Sequence, residues 1–129
     1  MADTHTIIWY IFADQRLSVT AREAIEEAVV GGDQIGFSSI TLAEIVYLSE
    51  RGGIREGTLE RLLNAIDSED TVLVELPFDR HVAEALREVD REQVPDLPDR
   101  IIAATAVHRG VPLISRDRKI RLAQVDTLW

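Results

Sequence analysis

The chain has 129 residues, of which 46% are hydrophobic and 29% are charged, with a formal net charge of −9 and no cysteine. We expect one globular domain over residues 1–129, and the composition excludes disulfide frameworks, zinc–thiolate sites and thiol nucleophiles. With no apolar run of roughly 18 residues and no signal peptide, a cytoplasmic protein without membrane contact is expected. The acidic balance argues against binding of nucleic acid over a broad basic surface.

The predicted elements alternate between helix and strand. The apolar segment Ile7–Phe12 fits either a strand or a buried helix. A helix is predicted over residues 20–30, where Thr20 and Glu23 have the spacing of a capping box and two glycines follow. Further helices are predicted over residues 41–51, 58–66, 79–89, 98–109 and 116–123, and strands over residues 35–38, 71–76, 111–115 and 125–128.

This alternation determines the predicted fold class. Strands separated by helices favour right-handed crossovers between parallel strands. We therefore expect an α/β protein, a three-layer α/β/α sandwich with a short, mainly parallel central sheet. In such a sheet the strand-to-helix turns open on one edge, and that edge is where ligands bind.

Acidic residues recur at the positions where a strand would lead into a helix. Because those turns share one edge of the sheet, we expect their side chains to converge in space despite their distance along the chain. A group of carboxylates without an obvious cationic partner is typical of a hard divalent-metal site. The four acids are Asp3, Glu44, Asp99 and Asp117.

Each of these acids also has a purely structural explanation. Thr41 and Glu44 have the spacing of a capping box, in which Glu44 reaches back to the Thr41 amide. Asp99 follows Pro98 in the first turn of a helix, where the helix dipole favours an anion. The remaining candidates for helix N-caps are Asp3, Asp96 and Asp117.

The structural explanations do not account for the group as a whole. If the carboxylates lie within about 5 Å of one another, each ionised pair repels by roughly 3–4 kcal/mol at an effective dielectric constant near 20. Helix dipoles offset only part of that repulsion. The sequence therefore predicts raised pKa values in the metal-free protein and stabilisation by Mg²⁺ or Mn²⁺.

A set of segments that spans nearly the whole chain supports a more specific interpretation. The segments are Asp3–Trp9, Ser38–Ile45, Asp96–Ala106, Leu113–Asp117 and Val125–Trp129. No single segment is specific, but in this order they resemble a PIN domain, and specifically the VapC toxins of bacterial toxin–antitoxin pairs. The acidic quartet of that family falls on Asp3, Glu44, Asp99 and Asp117, with Asp96 as an accessory acid.

The resemblance implies a function. It implies an endoribonuclease dependent on Mg²⁺ or Mn²⁺, whose metals activate a water for in-line attack on a phosphodiester and leave a 5′-phosphate. It also implies a toxin that inhibits translation and growth, a homodimer, and a VapB-type antitoxin whose tail occupies the nuclease groove. Promoter DNA would be bound only through that antitoxin. The chain departs from the family in having only Met1 and Ala2 before Asp3, and in having Pro98 before Asp99.

Several residues are candidates for RNA contacts. Ser115 matches a hydroxyl position of the family, where it would bind phosphate or orient Asp117, and a strand-end hydroxyl without a role fits equally well. Arg100, Arg116 and Arg118 are suited to bind phosphates, although charged helix faces are usually only solvated. We expect His5 beside the site rather than as a ligand, His81 and His108 on the surface, and Trp9 and Trp129 in the core.

Other function classes fit the residues less well than the nuclease. A phospho-acceptor receiver domain needs an acidic pair after the first strand and a matching lysine, whereas this chain has Asp3 alone and Lys119 as its only lysine. An Asp-x-Asp phosphatase lacks its second aspartate. A PIN-like domain that has lost catalysis and only binds a partner, and a metal-dependent DNA nuclease, remain as alternatives.

Overall fold

The computed structural model describes residues 1–129. Its helices are α1 (Thr4–Ile11), α2 (Val19–Val30), α3 (Ile40–Glu50), α4 (Thr58–Asp67), α5 (Arg80–Ala85), α6 (Leu97–Arg109) and α7 (Arg118–Leu122), with a 3-10 turn at Leu86–Glu88. Its strands are β1 (Ile35–Ser38), β2 (Leu73–Leu76), β3 (Leu113–Ile114) and β4 (Thr127–Leu128). None of the helices combines the length and apolar character needed to cross a membrane.

The strands form two parallel pairs. Ile35 of β1 stands opposite Leu73 of β2, and Leu113 of β3 stands opposite Thr127 of β4. Parallel partners need a crossover between them, and here each crossover is helical. The predicted parallel arrangement is therefore found, although β3 and β4 each have only two residues.

Residues 1–3 lie between the two pairs and join them into one layer. The Ala2 amide donates to the Gly36 carbonyl oxygen at 2.8 Å, and the Asp3 amide donates to the Ile114 carbonyl oxygen at 3.1 Å. The bridge between Ala2 and Ile114 is parallel. The short segment before the first helix thus takes the central place in the layer, and its backbone is held on both sides.

Two hydrophobic clusters lie on opposite faces of this layer. Leu113 belongs to one cluster and its neighbour Ile114 to the other, as expected for successive residues of a strand. The first cluster contains buried side chains from α1 to α4, and the second contains buried side chains from α5, α6 and α7. The molecule therefore has three layers, with helices on both faces of a small parallel sheet.

The structure decides between the two predictions for the first apolar segment and corrects the predicted start of α2. Ile7–Phe12 lies largely in a buried helix, α1, which decides between the two predicted possibilities. The capping box predicted at Thr20 is wrong, because α2 begins earlier. Ser18 is the N-cap, and its hydroxyl accepts a hydrogen bond from the Ala21 amide at 3.0 Å.

The predicted helix over residues 79–89 is interrupted near its end. Helix α5 ends at Ala85 and a 3-10 turn follows. The Arg100 side chain donates to the Leu86 carbonyl oxygen at 2.7 Å and to the Val89 carbonyl oxygen at 3.0 Å. A side chain from α6 thus satisfies carbonyl groups that a continuing helix would have satisfied.

Truncating the centre of the larger cluster tests this packing. Phe37 in β1 is fully buried, so Phe37→Ala should lower the free energy of unfolding by about 3–5 kcal/mol, measured by urea denaturation. Val30→Ala, at a position 89% exposed, is the control and should change it by less than about 0.5 kcal/mol. Equal effects of the two substitutions would contradict the assigned core.

Candidate active site

A cleft of about 340 Å³ opens at the edge of the sheet where the strands lead into helices. The structure brings all four predicted acids, and the accessory acid, to the walls of this one cleft. The remaining walls are polar or basic, apart from one aromatic ring. The lining residues are Asp3, Thr4, His5, Trp9, Glu44, Asp96, Asp99, Arg116 and Asp117.

Asp3 and Asp117 are held in the cleft as helix caps. Asp3 Oδ1 accepts from the Thr6 amide at 2.9 Å at the start of α1. Asp117 Oδ1 accepts from the Lys119 amide at 2.7 Å at the start of α7, as predicted for a cap. Because a carboxylate offers about four acceptor sites, capping leaves each group free to bind another ligand.

Asp96 and Asp99 occupy the first turn of α6. Asp96 is the N-cap, and its Oδ2 accepts from the Asp99 amide at 3.2 Å. Leu97 and Pro98 follow the cap, so Asp99 emerges from a helix start whose conformation proline favours. The two carboxylates therefore stand beside each other at the positive end of the α6 dipole.

Glu44 is held by a side chain from another helix. Thr4 Oγ1 donates to Glu44 Oε1 at 2.6 Å and also contacts Thr41 Oγ1 at 2.9 Å. The predicted capping box of Thr41 and Glu44 is wrong. Helix α3 begins at Ile40, so Glu44 lies beyond the first turn and faces the cleft instead of the helix start.

The shared cleft shifts the pKa of two of its acids. Burial, followed by the charges of four neighbouring acids, raises the pKa of Asp99 to about 7. Burial also raises the pKa of Glu44, with smaller contributions from Asp96 and Asp3, while the hydrogen bond from Thr4 opposes the rise. The predicted increase in pKa is thus found at these two positions. The acids that act on Asp99 are Asp96, Asp117, Glu44 and Asp3.

The acids of the cleft have no cationic partner. The one salt bridge of the chain joins Arg16 to Asp14 at 2.8 Å, outside the cleft. No three His, Asp or Glu side chains are arranged to hold a metal ion as they stand. The cleft therefore supplies the oxygen donors of a hard-metal site, and the side chains would have to move to bring three of them onto one ion.

Of the four residues predicted to contact RNA, the structure places one on the wall of the cleft and three elsewhere. Arg116 lines the cleft, whereas Arg118 is exposed at the start of α7 outside it. Ser115 is fully buried, and its hydroxyl accepts from the Asp117 amide at 3.1 Å, which supports the orienting role and not a phosphate contact. The contact predicted for Arg100 finds no support, because its guanidinium is bonded to carbonyl groups away from the cleft.

The tryptophan and histidine side chains lie where the sequence predicts them, in the core and on the surface respectively. Trp9 is buried in the core, and half-buried Trp129 packs against it with ring centres 5.7 Å apart. His5 is exposed on the cleft wall with its ring 5.6 Å from that of Trp9. His81 and His108 are exposed, and neither lines the cleft.

The residue that sequence reasoning missed is Thr4. Its hydroxyl fixes Glu44, yet its position next to Asp3 gives no local signal of that contact. Only the approach of α1 to α3 brings the two side chains together. Trp9 was expected in the core, and its second role as part of the cleft wall was likewise not visible in the sequence.

Fold and site together define an α/β protein with an acid-lined cleft at the strand-to-helix edge of its sheet. The model of the PIN domain family matches residues 1–127. The chain belongs to the PIN-domain family. The resemblance to VapC toxins seen in its motifs is confirmed by the first of two similar proteins, and the second shares the fold.

The first relative is ribonuclease VapC22 of Mycobacterium tuberculosis (strain ATCC 25618 / H37Rv). It is 32% identical over 124 residues, which cover 94% of this chain and 88% of that protein. The second is the crystal structure of VapBC2 from Rickettsia felis bound to a DNA fragment from their promoter. It matches 98% of this chain and 97% of that chain with a TM-score of 0.69 and 18% identity, a likeness that shows the fold.

The raised pKa of Asp99 predicts a pH-dependent loss of stability. Folding raises this pKa from 3.8 to about 7, so the folded state binds the proton more tightly. The resulting stabilisation is present below about pH 4 and is lost as the pH rises through 7. Asp99→Asn should therefore stabilise the metal-free protein at pH 8 by about 1–2 kcal/mol, after allowance for solvent screening, and change little near pH 4.

Urea denaturation in EDTA across this pH range measures the effect. Glu26→Gln, which removes an exposed charge on α2, is the control and should run parallel to the unsubstituted protein. If the Asp99→Asn curve also ran parallel to it, the proposed destabilisation by this carboxylate would be contradicted.

Proposed function

We propose that this protein is an endoribonuclease dependent on Mg²⁺ or Mn²⁺, and the toxin of a VapBC-type toxin–antitoxin pair that inhibits translation and growth. One observation supports the proposal most strongly. Four acids from separate parts of the chain, with a fifth beside them, line a single cleft. The name of its relative, ribonuclease VapC22, favours RNA as the substrate.

The donors of the cleft suit a hard divalent cation. Carboxylate oxygens are the ligands that Mg²⁺ and Mn²⁺ prefer, and the chain has no cysteine to favour softer metals. When bound, such an ion would activate a water and stabilise the charge that develops on the phosphate oxygens. The residues that would hold it are Asp3, Glu44, Asp99 and Asp117, with Asp96 as an accessory acid.

The surrounding residues set the positions of these catalytic acids. The Thr4 hydroxyl holds one oxygen of Glu44, so the second oxygen remains available to the cleft. The Ser115 hydroxyl accepts a hydrogen bond from the Asp117 amide and so holds the backbone of Asp117. Asp96 holds the first turn of α6, from which Asp99 projects. Preorganisation of this kind limits the movement needed to bind a ligand.

Arg116 would bind the substrate and not the metal. It lies on the cleft wall next to Asp117, forms no salt bridge, and carries five N–H donors suited to phosphate oxygens. In an acid-lined cleft, a fixed guanidinium would offset the repulsion between the carboxylates and the RNA backbone. Exposed Arg118 would add a weaker contact from α7.

The proposal extends to partners and location. A cognate VapB-type antitoxin, a homodimer and a cytoplasmic site of action go with the toxin role, and promoter DNA would be contacted only through the antitoxin. The Rickettsia felis structure is that of a VapBC pair bound to promoter DNA, which is the kind of assembly proposed.

Cleavage of a mixed RNA pool by purified, antitoxin-free protein tests the proposal. We expect products with 5′-phosphate ends in Mg²⁺ or Mn²⁺ and none in EDTA. Asp99→Asn should lower the cleavage rate by roughly 100-fold or more, because it removes a charged ligand from the site.

Asp79→Asn is the matched control, because Asp79 also caps a helix but lies outside the cleft. Cleavage of single-stranded DNA in place of RNA would support the DNA nuclease instead. Absence of cleavage in every metal, or equal cleavage by Asp99→Asn, would contradict the assigned activity and favour an interaction domain.

A further inference from the structure

Two arginines from distant parts of the chain share one ring at the cleft. The guanidinium carbon of Arg116 lies 4.7 Å from the centre of the Trp9 ring, and that of Arg16 lies 5.4 Å from it. Both arginines are exposed, whereas Trp9 is only 2% exposed. The ring thus serves as a buried platform for two cations at the cleft wall.

The next aromatic platform beyond Trp9 repeats this arrangement. The guanidinium carbons of Arg55 and Arg61 lie 4.4 Å and 4.7 Å from the centre of the Phe12 ring. Arg61 Nε also donates to the Ile11 carbonyl oxygen at 2.9 Å. Both arginines are exposed, and neither forms a salt bridge.

The two pairs belong to one continuous surface. Trp9 and Phe12 are three residues apart at the end of α1, a spacing that places side chains on the same helix face. Asp14 links the pairs: it is bonded to Arg16 of the first at 2.8 Å, and its pKa, lowered to about 2 chiefly by the hydrogen bonds from Arg16, also responds to the charge of Arg55 in the second. We call Arg116, Arg16, Arg55 and Arg61 together the arginine track.

We propose that the arginine track binds the backbone of single-stranded RNA and leads it from the acidic cleft along the end of α1 to the start of α4. This inference rests on the proposed function, because it names the path of the substrate on either side of cleavage. The track begins inside the site, since Arg116 lines the cleft itself.

The charge of the track favours an anionic ligand. The chain has a net charge of −9, yet four of its 14 basic residues gather on two neighbouring rings. Only Arg16 is paired with a carboxylate. Arg16 uses its N–H edge on Asp14, whereas Arg116 and Arg55 rest on their rings with that edge free for bidentate contacts with phosphate, so the aromatic platforms preorganise these cations.

The same geometry favours RNA over an acidic protein segment. The five carboxylates at the cleft end of the track would repel an acidic segment and RNA alike until a cation is bound, but an acidic segment has no chemical reason to continue from the cleft onto the track. A phosphodiester chain, in contrast, must continue beyond the phosphate that is cut. Phosphate contacts of this kind carry no sequence information, so the track would contribute affinity and not base preference.

RNA binding measured in EDTA tests the track without cleavage. The probe is a labelled single-stranded RNA of about 12 nucleotides, followed by fluorescence anisotropy at several salt concentrations. Arg55→Gln/Arg61→Gln should weaken binding roughly tenfold and make the slope of log affinity against log salt shallower by about 1.4, for two lost phosphate contacts.

The control is Arg80→Gln/Arg109→Gln, which makes the same charge change at exposed positions of α5 and α6 outside the track and should bind like the unsubstituted protein. Because Arg61 also bonds to α1, Arg55→Gln alone is a second variant, with about a threefold loss expected. Thermal unfolding checks that each variant is folded.

Equal losses of RNA affinity in the two double variants, or no loss in Arg55→Gln/Arg61→Gln, would overturn the proposal that the track binds RNA. So would competition by a poly-glutamate peptide at the same concentration as RNA, which would assign the surface to an acidic protein. Selective loss of RNA binding in a protein that cleaves nothing would support the track while the nuclease proposal failed.

Discussion

Repulsion among carboxylates that share a partly buried cleft is the constraint on which the structure of the strand-to-helix edge of the sheet depends. Burial, followed by this repulsion, raises the pKa of Asp99 to about 7. The fold offsets part of it locally, because Asp3, Asp96 and Asp117 each accept a backbone amide at the start of a helix. Those bonds satisfy single oxygens and leave most of the negative charge uncompensated. A divalent cation is the ligand that would compensate the remainder.

The convergence of the acids in one cleft could be predicted because their positions in the chain follow a local pattern. Asp99 and Asp117 stand at helix starts that can be recognised from a few neighbouring residues. The environment of Glu44 could not be predicted in this way, since the hydrogen bond from Thr4 depends on two helices 40 residues apart in the chain. The same holds for Arg100, whose bonds to the turn after α5 could not be predicted from its charge.

The proposed arginine track would reconcile an acidic protein with an anionic substrate. A net charge of −9 had argued against a broad basic surface, and the structure agrees with that argument while concentrating four cations on two rings. In the proposed nuclease, the acids would act at the reaction centre and the cations along the approach of the substrate, two roles with opposite electrostatic needs. Helix α1 connects the two groups, because Asp3 at its start lies in the cleft and the rings of Trp9 and Phe12 at its end carry the arginines.

Direct measurement of Mn²⁺ binding by calorimetry tests the central claim, that the acids of the cleft form one metal site. We predict saturable binding to the metal-free protein at about pH 8, weakened roughly tenfold or more by Asp3→Asn and by Asp117→Asn. Asp79→Asn, at a helix cap outside the cleft, should leave binding unchanged. Absence of binding, or equal binding by all three variants, would contradict the account.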